Sequence, residues 1–474
     1  MSIRKNLVSN FILTASSILL PLVTFPYITR ILSNSGLGKV FFVDAFTQYF
    51  IIFSAIGIPY YGIREIAKVK HNKEATSKLV IELVTLQFFL SVIFVAIFWV
   101  LQYFVKALQT DIPLIKIGCI TIIANSFLIE WFYQGTENFT FITIRSLAIK
   151  FASVICILLL VKTSEDYNIY YLILALLVCL NALLNFIYFL NKYYLKSGVK
   201  LEIKSHFYPL LILFSINISV SIYTVLDTII LGILTNPLSV SYYTVPLRLV
   251  KMFWMVVGGI GTVLIPRIAT LFVNKDQDGI VLLMKKSFSL VFLLTIPFCF
   301  FCLTYAHEIL FIISGKKYLD AANTLKILSI VPLIIGVCNV LGTQFLLPIG
   351  GEKKILYATI AGLIISLTLN FLLIPFLQHL GAAIACVFAE ITVCVYILIS
   401  AKKHISIQID KSLLYQIFLS LFLSALVGYI LKVYLQNIIL LLAVFSTYVF
   451  AFFLLQFFAF KNQFVFSLIK IKKV

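Results

Sequence analysis

The sequence predicts an all-α polytopic membrane protein of about fourteen transmembrane helices. Three observations predict it. Of 474 residues, 62% are hydrophobic and only 12% charged, more apolar surface than a soluble core can hide. The apolar residues fall in runs of about 20 or more, enough to cross a hydrocarbon core of ~30 Å. The cations between the runs are concentrated on alternate loops, the pattern that sets orientation in a membrane.

Taken in order, the first run, Leu7 to Leu32, is too long for a signal-peptide core and has no small-residue cleavage site. It is expected to persist as a helix over 9–31. Pro21 and Pro26 inside it free backbone carbonyls and are expected to bend it. Spans 39–60 and 79–104 flank the basic stretch 61–78. Spans 112–133 and 141–162 flank the polar stretch from Gln134 to Asn138. Span 168–192 ends at the basic connection 192–207. Spans 208–231 and 240–268 are divided by Thr235-Asn236, and span 285–306 follows a second basic connection. The loop 307–322, with His307, Glu308 and Asp320, precedes span 323–348. Gly350-Gly351-Glu352 separates that span from 354–376, and spans 381–401, 411–434 and 436–459 complete the set.

With the N-terminus placed in the cytoplasm, the segments on that side hold 25 of the 37 Lys and Arg residues. The outer ends and loops hold six, and six more lie within spans. This asymmetry predicts an even number of helices and both termini inside. A formal net charge of +19 also implies attraction to anionic lipid headgroups. Nucleic acid is not an expected partner.

The second half restarts near residue 208. Ser33-Asn34 and Arg64 recur as Thr235-Asn236 and Arg267, and Gly135-Thr136-Glu137 recurs as Gly350-Gly351-Glu352. Six spans separate the copies, so the repeats are parallel. The expected organisation is an N-terminal lobe over 1–207, a C-terminal lobe over 208–404, and two additional helices with a basic cytoplasmic tail over 405–474. Two such lobes would enclose a cleft and rock between access states.

Charged groups inside spans cost about 2.5–3.5 kcal/mol at a helix centre on insertion scales and usually face a cavity or a partner. Arg248 and Lys251 lie about 12 and 16 Å from the outer end of their span at ~1.5 Å per residue, on one helical face. That pair suits a phosphate; neutralisation by Asp227 is the alternative. Arg145 and Lys150 occupy the cytoplasmic third of their span. Arg145 could face the cavity and its cargo or pair with Glu130 at the same level, whereas Lys150 has no evident local partner, which favours the cavity. Arg30 and Asp44, near the outer ends of the first two spans, could form a gate ion pair; Arg30 could equally snorkel to the interface or add to the cationic cargo site. Glu390 is the deepest carboxylate and the first candidate for ion coupling, with Asp227 second. Asn181 and Asn185, at i and i+4, suit sugar hydroxyls or helix–helix bonding.

There is no P-loop for ATP, no hydrolase or metalloprotease motif, and no long external loop to hold a catalytic centre. No cofactor, catalytic residue or metal site is expected. The eight cysteines lie in apolar runs, and the spacing of Cys299 and Cys302 lacks a second ligand pair, so packing explains them.

Three regions carry a family resemblance: Leu20 through Leu32 with Gly36-Leu37-Gly38, Gly62-Ile63-Arg64-Glu65-Ile66-Ala67, and Glu130 through Asn138 followed by Phe141 to Arg145. A fourth, weaker one spans Asn370 to Pro375, Gly381 to Ala385 and Glu390. In order and spacing they resemble the Wzx-type flippases of O-antigen and exopolysaccharide repeat units, within the multidrug/oligosaccharidyl-lipid/polysaccharide exporter superfamily. The resemblance implies two six-helix lobes in a V. It implies a cargo of oligosaccharide on undecaprenyl pyrophosphate, moved from the cytoplasmic to the periplasmic leaflet of the bacterial inner membrane. The cycle would be driven by H+ or Na+, with a polysaccharide polymerase complex as a further partner. Fourteen helices also resemble the flippases for peptidoglycan precursors. A drug/cation antiporter of the same superfamily would need an acidic cavity, whereas the deep charges here are mostly basic. A polymerase would need a larger external loop, and a scaffold would not need buried charges.

Overall fold

The computed structural model describes residues 3–109, 111–195, 201–261, 265–432, 435 and 437–455. Among them there is no strand. Ten helices among the described residues are long and apolar enough to cross a membrane. Shorter apolar stretches at Leu19–Ile31, Val225–Leu234 and Leu441–Leu454 coincide with the expected first, seventh and fourteenth spans. The expected span 240–268 includes residues 262–264, which lie outside the described residues, as does the expected basic tail beyond 455. The chain is the all-α, multi-span protein that its composition predicts.

It divides into two compact units, Met1–Thr244 and Val245–Val474. The first contains α1 (Ile3–Ile31), α2 (Asn34–Ala55), α3 (Ile58–Val69), α4 (Lys73–Phe104), α5 (Lys106–Gln109), α6 (Ile112–Asn125), α7 (Glu130–Gly135), α8 (Phe139–Leu160), α9 (Tyr167–Lys192) and α10 (Ile203–Leu234). It ends within α11 (Pro237–Gly261). The sequence repeat restarts near 208, but the first compact unit retains α10. The reason is close packing: a Cβ at Gly232 would lie 2.1 Å from the Phe42 ring of α2.

Caps fix several helix starts. Ser33 Oγ accepts from the Gly36 N–H at the start of α2, and Asn72 Oδ1 accepts from the N–H groups of Glu74 and Ala75 at the start of α4. Two expected spans are interrupted. The second breaks at Ile56 and Gly57, both left-handed with φ of 41° and 82°. The fourth breaks between Asn125 and Glu130, with Ile129 at φ 21°. A left-handed β-branched residue costs about 1–3 kcal/mol, and burial of both isoleucines helps hold these turns.

The breaks let α3 and α7 pack against each other. Gly62 sits under the Trp131 indole, where a Cβ would come within 2.3 Å of a ring carbon. Gly135 sits against Ile66, where a Cβ would come within 2.7 Å. Two of the family-resembling segments are thus one tightly packed contact. Around it lies a core that includes Leu83, Phe132, Tyr133, Phe189 and Leu210.

The second unit contains α12 (Ile265–Val273), α13 (Gln277–Ser314), a 3-10 segment (Lys316–Ala321), α14 (Ala322–Leu328), α15 (Val331–Cys338) and a π-helical segment (Asn339–Leu346). Then come α16 (Glu352–Leu377), α17 (His379–Lys402), α18 (Lys411–Leu431) and α19 (Asn437–Leu454). The expected tenth span is thus a series of short helices. Helix α16 packs closely on α17, where Gly362 meets Val393 and the Ala389 carbonyl. The two C-terminal helices pack on α13: Leu413, Ile417, Leu421, Tyr448 and Phe452 are buried with Phe292, Ile296 and Phe301.

Candidate functional site

The break before α7 places Glu130 at its first turn, beside the second turn of α8. There Arg145 Nη2 donates to Glu130 Oε1 at 2.8 Å. The Arg145 side chain is 4% exposed and that of Glu130 is 35% exposed. Glu130 therefore takes one guanidinium nitrogen while remaining open on its other side. The Arg145 Nε and Nη1 atoms are buried and have no hydrogen-bond partner among the described residues. Leaving a buried charged donor unmet costs about 1–3 kcal/mol or more. Arg145 also lies over the Phe141 ring, 5.6 Å from its centroid.

Lys150, expected to lack a local partner, finds one across the chain. Its ammonium donates to Ser17 Oγ at 2.7 Å and more weakly to Ser16 Oγ at 3.4 Å, both on α1. The serines are themselves bonded to the Leu13 carbonyl, which orients their oxygens. Both partners are distant in sequence, 133 and 134 residues away.

Arg145 lines an open groove of about 590 Å³ with Asn138, Thr140, Phe141, Tyr188 and Asn191. Two of its lining residues, Phe141 and Tyr188, are stacked, with centroids 4.1 Å apart and planes 19° apart. Lys192 donates to the Tyr188 hydroxyl at 2.9 Å. Thr140 Oγ1 is buried without a hydrogen-bond partner among the described residues. The exposed side chains of Ile144, Leu184 and Ile187 complete the groove wall.

The other expected residues are distributed as follows. Asn181 and Asn185 are buried on one face of α9. The Asn181 amide donates to the Leu177 carbonyl at 2.7 Å. The Asn185 amide donates to the Leu128 carbonyl, and the Asn185 carbonyl accepts from the Tyr133 hydroxyl at 2.5 Å. Asn185 thus ties α9 to the break before α7. Both side-chain amide oxygens are buried without a hydrogen-bond partner among the described residues. Asp227 is 4% exposed and accepts from the Tyr243 hydroxyl at 2.9 Å. In the second unit Arg248 is half-buried and Lys251 is exposed on α11, while Glu390 is buried on α17. Arg30 is exposed in the last turn of α1, where a cation suits the helix C-terminus, and Asp44 is half-buried on α2. Cys299 donates to the Ser329 carbonyl at 2.9 Å. Among the described residues no His, Cys, Asp and Glu cluster could hold a metal ion.

One buried polar cluster escaped sequence reasoning. Glu82, 3% exposed on α4, accepts from the Glu202 N–H at 2.6 Å and lies 2.9 Å from His206 Nε2. His206 Nδ1 lies 2.7 Å from the Tyr61 hydroxyl of α3. Glu202 and the start of α10 are thereby tied to α3 and α4. A glutamate one helical turn inside an apolar run was the available signal.

Such a bundle, with cations held inside apolar helices, is a multi-pass membrane protein of transporter architecture. A family profile described as "Polysaccharide biosynthesis protein" matches residues 3–272, and this chain belongs to that family. A second profile, MatE, matches residues 212–372. A relative from Escherichia coli (strain K12), named "Putative O-antigen transporter", is 25% identical over 409 residues, covering 85% of this chain and 97% of the relative. One of the same name from Shigella dysenteriae is 22% identical over 404 residues, covering 84% and 100%. Among solved structures, lipid II flippase MurJ in an inward closed conformation superposes with a TM-score of 0.74 at 16% identity, covering 98% of this chain and all of that one. An inward-facing MATE-family multidrug resistance transporter gives 0.56 at 11% identity, covering 81% and 97%. The Wzx-type resemblance read from the sequence is thus supported by family and relatives, and the fold is that of these flippases and transporters.

Proposed function

We propose that this protein is a flippase for an oligosaccharide repeat unit carried on undecaprenyl pyrophosphate. It moves its cargo from the cytoplasmic to the periplasmic leaflet for O-antigen or another surface polysaccharide. The observation that carries this reading is Arg145, a buried guanidinium with two nitrogens unmet by the described residues, at an aromatic-lined groove. Family membership and the names of the relatives support the class of cargo. Pyrophosphate oxygens would complete the Arg145 fork. Sugar faces would pack on Phe141 and Tyr188, and the polyprenyl chain would follow the apolar rim.

In this reading Arg248 and Lys251 provide a second anion station, Lys150 and Arg30 add positive potential, and Asn181 and Asn185 contact sugar. Arg30 and Asp44 form the outer gate. Glu390 and Asp227 couple H+ or Na+ flow to alternating access between lobes 1–207 and 208–404, with both termini cytoplasmic. A polysaccharide polymerase complex would receive the cargo.

The test is translocation in proteoliposomes containing purified protein and the host's own undecaprenyl-pyrophosphate oligosaccharide. Enzymatic access to the glycan on one face reports movement, with and without proton or sodium gradients. Gradient-stimulated movement is expected. Failure to move the host's own repeat unit would overturn the proposal, and movement of lipid II in its place would reassign the cargo to peptidoglycan precursors.

A further inference from the structure

We infer that the second unit carries a separate binding pocket for an anionic phospholipid headgroup. The inference goes beyond the cargo reading and does not depend on it. The pocket has a volume of about 680 Å³, within the range of small-ligand sites, and is formed by three connections of the same unit. The turn after α12 supplies Lys275. The glycine pair before α16 supplies Gly350 and Gly351, and α16 itself supplies Lys354. The end of α17 supplies His404. By loop charge this is the end expected in the cytoplasm, where anionic lipids give the leaflet a negative surface potential.

Its chemistry is divided in the way a phospholipid is. The floor is apolar, with Phe345 and Ile280 buried beneath. Phe272 and Val273 stand at the rim, 47% and 79% exposed, where water would penalise them and acyl chains would not. Above this floor the Lys354 ammonium lies 2.6 Å from His404 Nε2. That contact fixes His404 Nε2 as the acceptor and leaves two ammonium protons for a ligand. Lys275 holds a left-handed backbone at φ 56°, a position where glycine would be free of strain. A Cβ at Gly350 would meet nothing within 4 Å, so the backbone there is open to a ligand. The N-terminal amides of α16 add a favourable field for a phosphate. The nearby acids do not line the pocket: Asp276 caps α13 by accepting from the Gly279 N–H at 2.8 Å, and Asp278 and Glu352 are solvent-exposed.

The test uses the full-length protein in detergent, titrated with phosphatidylglycerol, phosphatidylcholine or inorganic phosphate, with thermal stability as the readout. Ligands that bind the native state raise its melting temperature. Phosphatidylglycerol is expected to stabilise more than phosphatidylcholine at equal concentration. Each of K275Q and K354Q should weaken its apparent affinity about fivefold, and the double variant about 25-fold, while K354R retains it. Gel filtration confirms folding; should the double variant fail to fold, K275Q alone, altering an exposed side chain, decides. Equal effects of the two lipids, unchanged affinity in a folded variant, or an equal effect of inorganic phosphate would overturn the assignment.

Discussion

Arg145 Nη2 and Glu130 Oε1 are 2.8 Å apart, joining the first turn of α7 to the second turn of α8. The contact uses one nitrogen of a guanidinium whose side chain is 4% exposed. Glu130 thus holds the guanidinium through Nη2 and leaves Nε and Nη1 without a hydrogen-bond partner among the described residues.

Arg145→Lys should therefore behave differently from a conservative change. A lysine keeps the charge but loses the planar fork. Loss of charge-assisted bonds worth about 1.5–3 kcal/mol predicts cargo affinity lower by roughly 10- to 100-fold. Surface polysaccharide output in a strain lacking the native gene, normalised to membrane-inserted protein, reads the effect. Normal output at low expression would contradict it.

Glu130→Gln separates anchoring from competition. The amide keeps an acceptor for Arg145 but removes the negative charge next to the incoming anion. Inorganic pyrophosphate should bind the purified variant severalfold more tightly, since an exposed charge at this distance contributes on the order of 1 kcal/mol. Calorimetric titration of both proteins reads this directly, and weaker binding by the variant would reject the arrangement.

Gly62→Ala tests the contact between α3 and α7. Its Cβ would stand 2.3 Å from a Trp131 ring carbon, and overpacking of this kind costs about 1–3 kcal/mol. The melting temperature in detergent should fall. Trp131→Leu in the Gly62→Ala background should recover part of the loss, whereas additive losses would argue against the contact.

Glu82→Gln should loosen the start of α10 around residues 201–206. The carboxylate accepts from the Glu202 N–H and lies against His206. A charged acceptor of this kind contributes about 1.5–3 kcal/mol. Faster amide exchange or proteolysis around residues 201–206 is the expected result. Unchanged protection would remove Glu82 as the fastening point.

Asp166 gives a pH-dependent prediction outside the spans. Its Oδ2 accepts from the Lys162 and Thr163 N–H groups at 2.8 and 2.7 Å. These backbone donors hold its pKa below the ordinary aspartate value. A depressed folded-state pKa stabilises the protein above the unfolded value of about 3.9, and the contribution fades as pH falls through the lower folded value. Asp166→Ala should therefore lower the melting temperature at pH 7 and converge on the parent as pH drops below about 4. A difference independent of pH would show that Asp166 acts through packing instead.

Much of the helix pattern was legible because hydrophobicity and chain length act locally. The caps at Ser33 and Asn72 stand at positions expected to be loops. The Arg145–Glu130 pair was also legible, because 15 residues and one connection separate its members. The breaks at Ile56 and Ile129 were not. Both lie in continuous apolar sequence, and isoleucine is a poor residue for a left-handed turn.

What the sequence determined by itself was the solvent this chain folds in, the approximate helices that cross it and the family to which it belongs. These follow from side-chain transfer energies summed over adjacent residues and from short motifs. Only tertiary structure decided which buried polar groups meet. Lys150 found Ser17 across 133 positions and His206 found Glu82 across 124. A buried donor must be satisfied wherever packing brings an acceptor, and local sequence has no record of that distance.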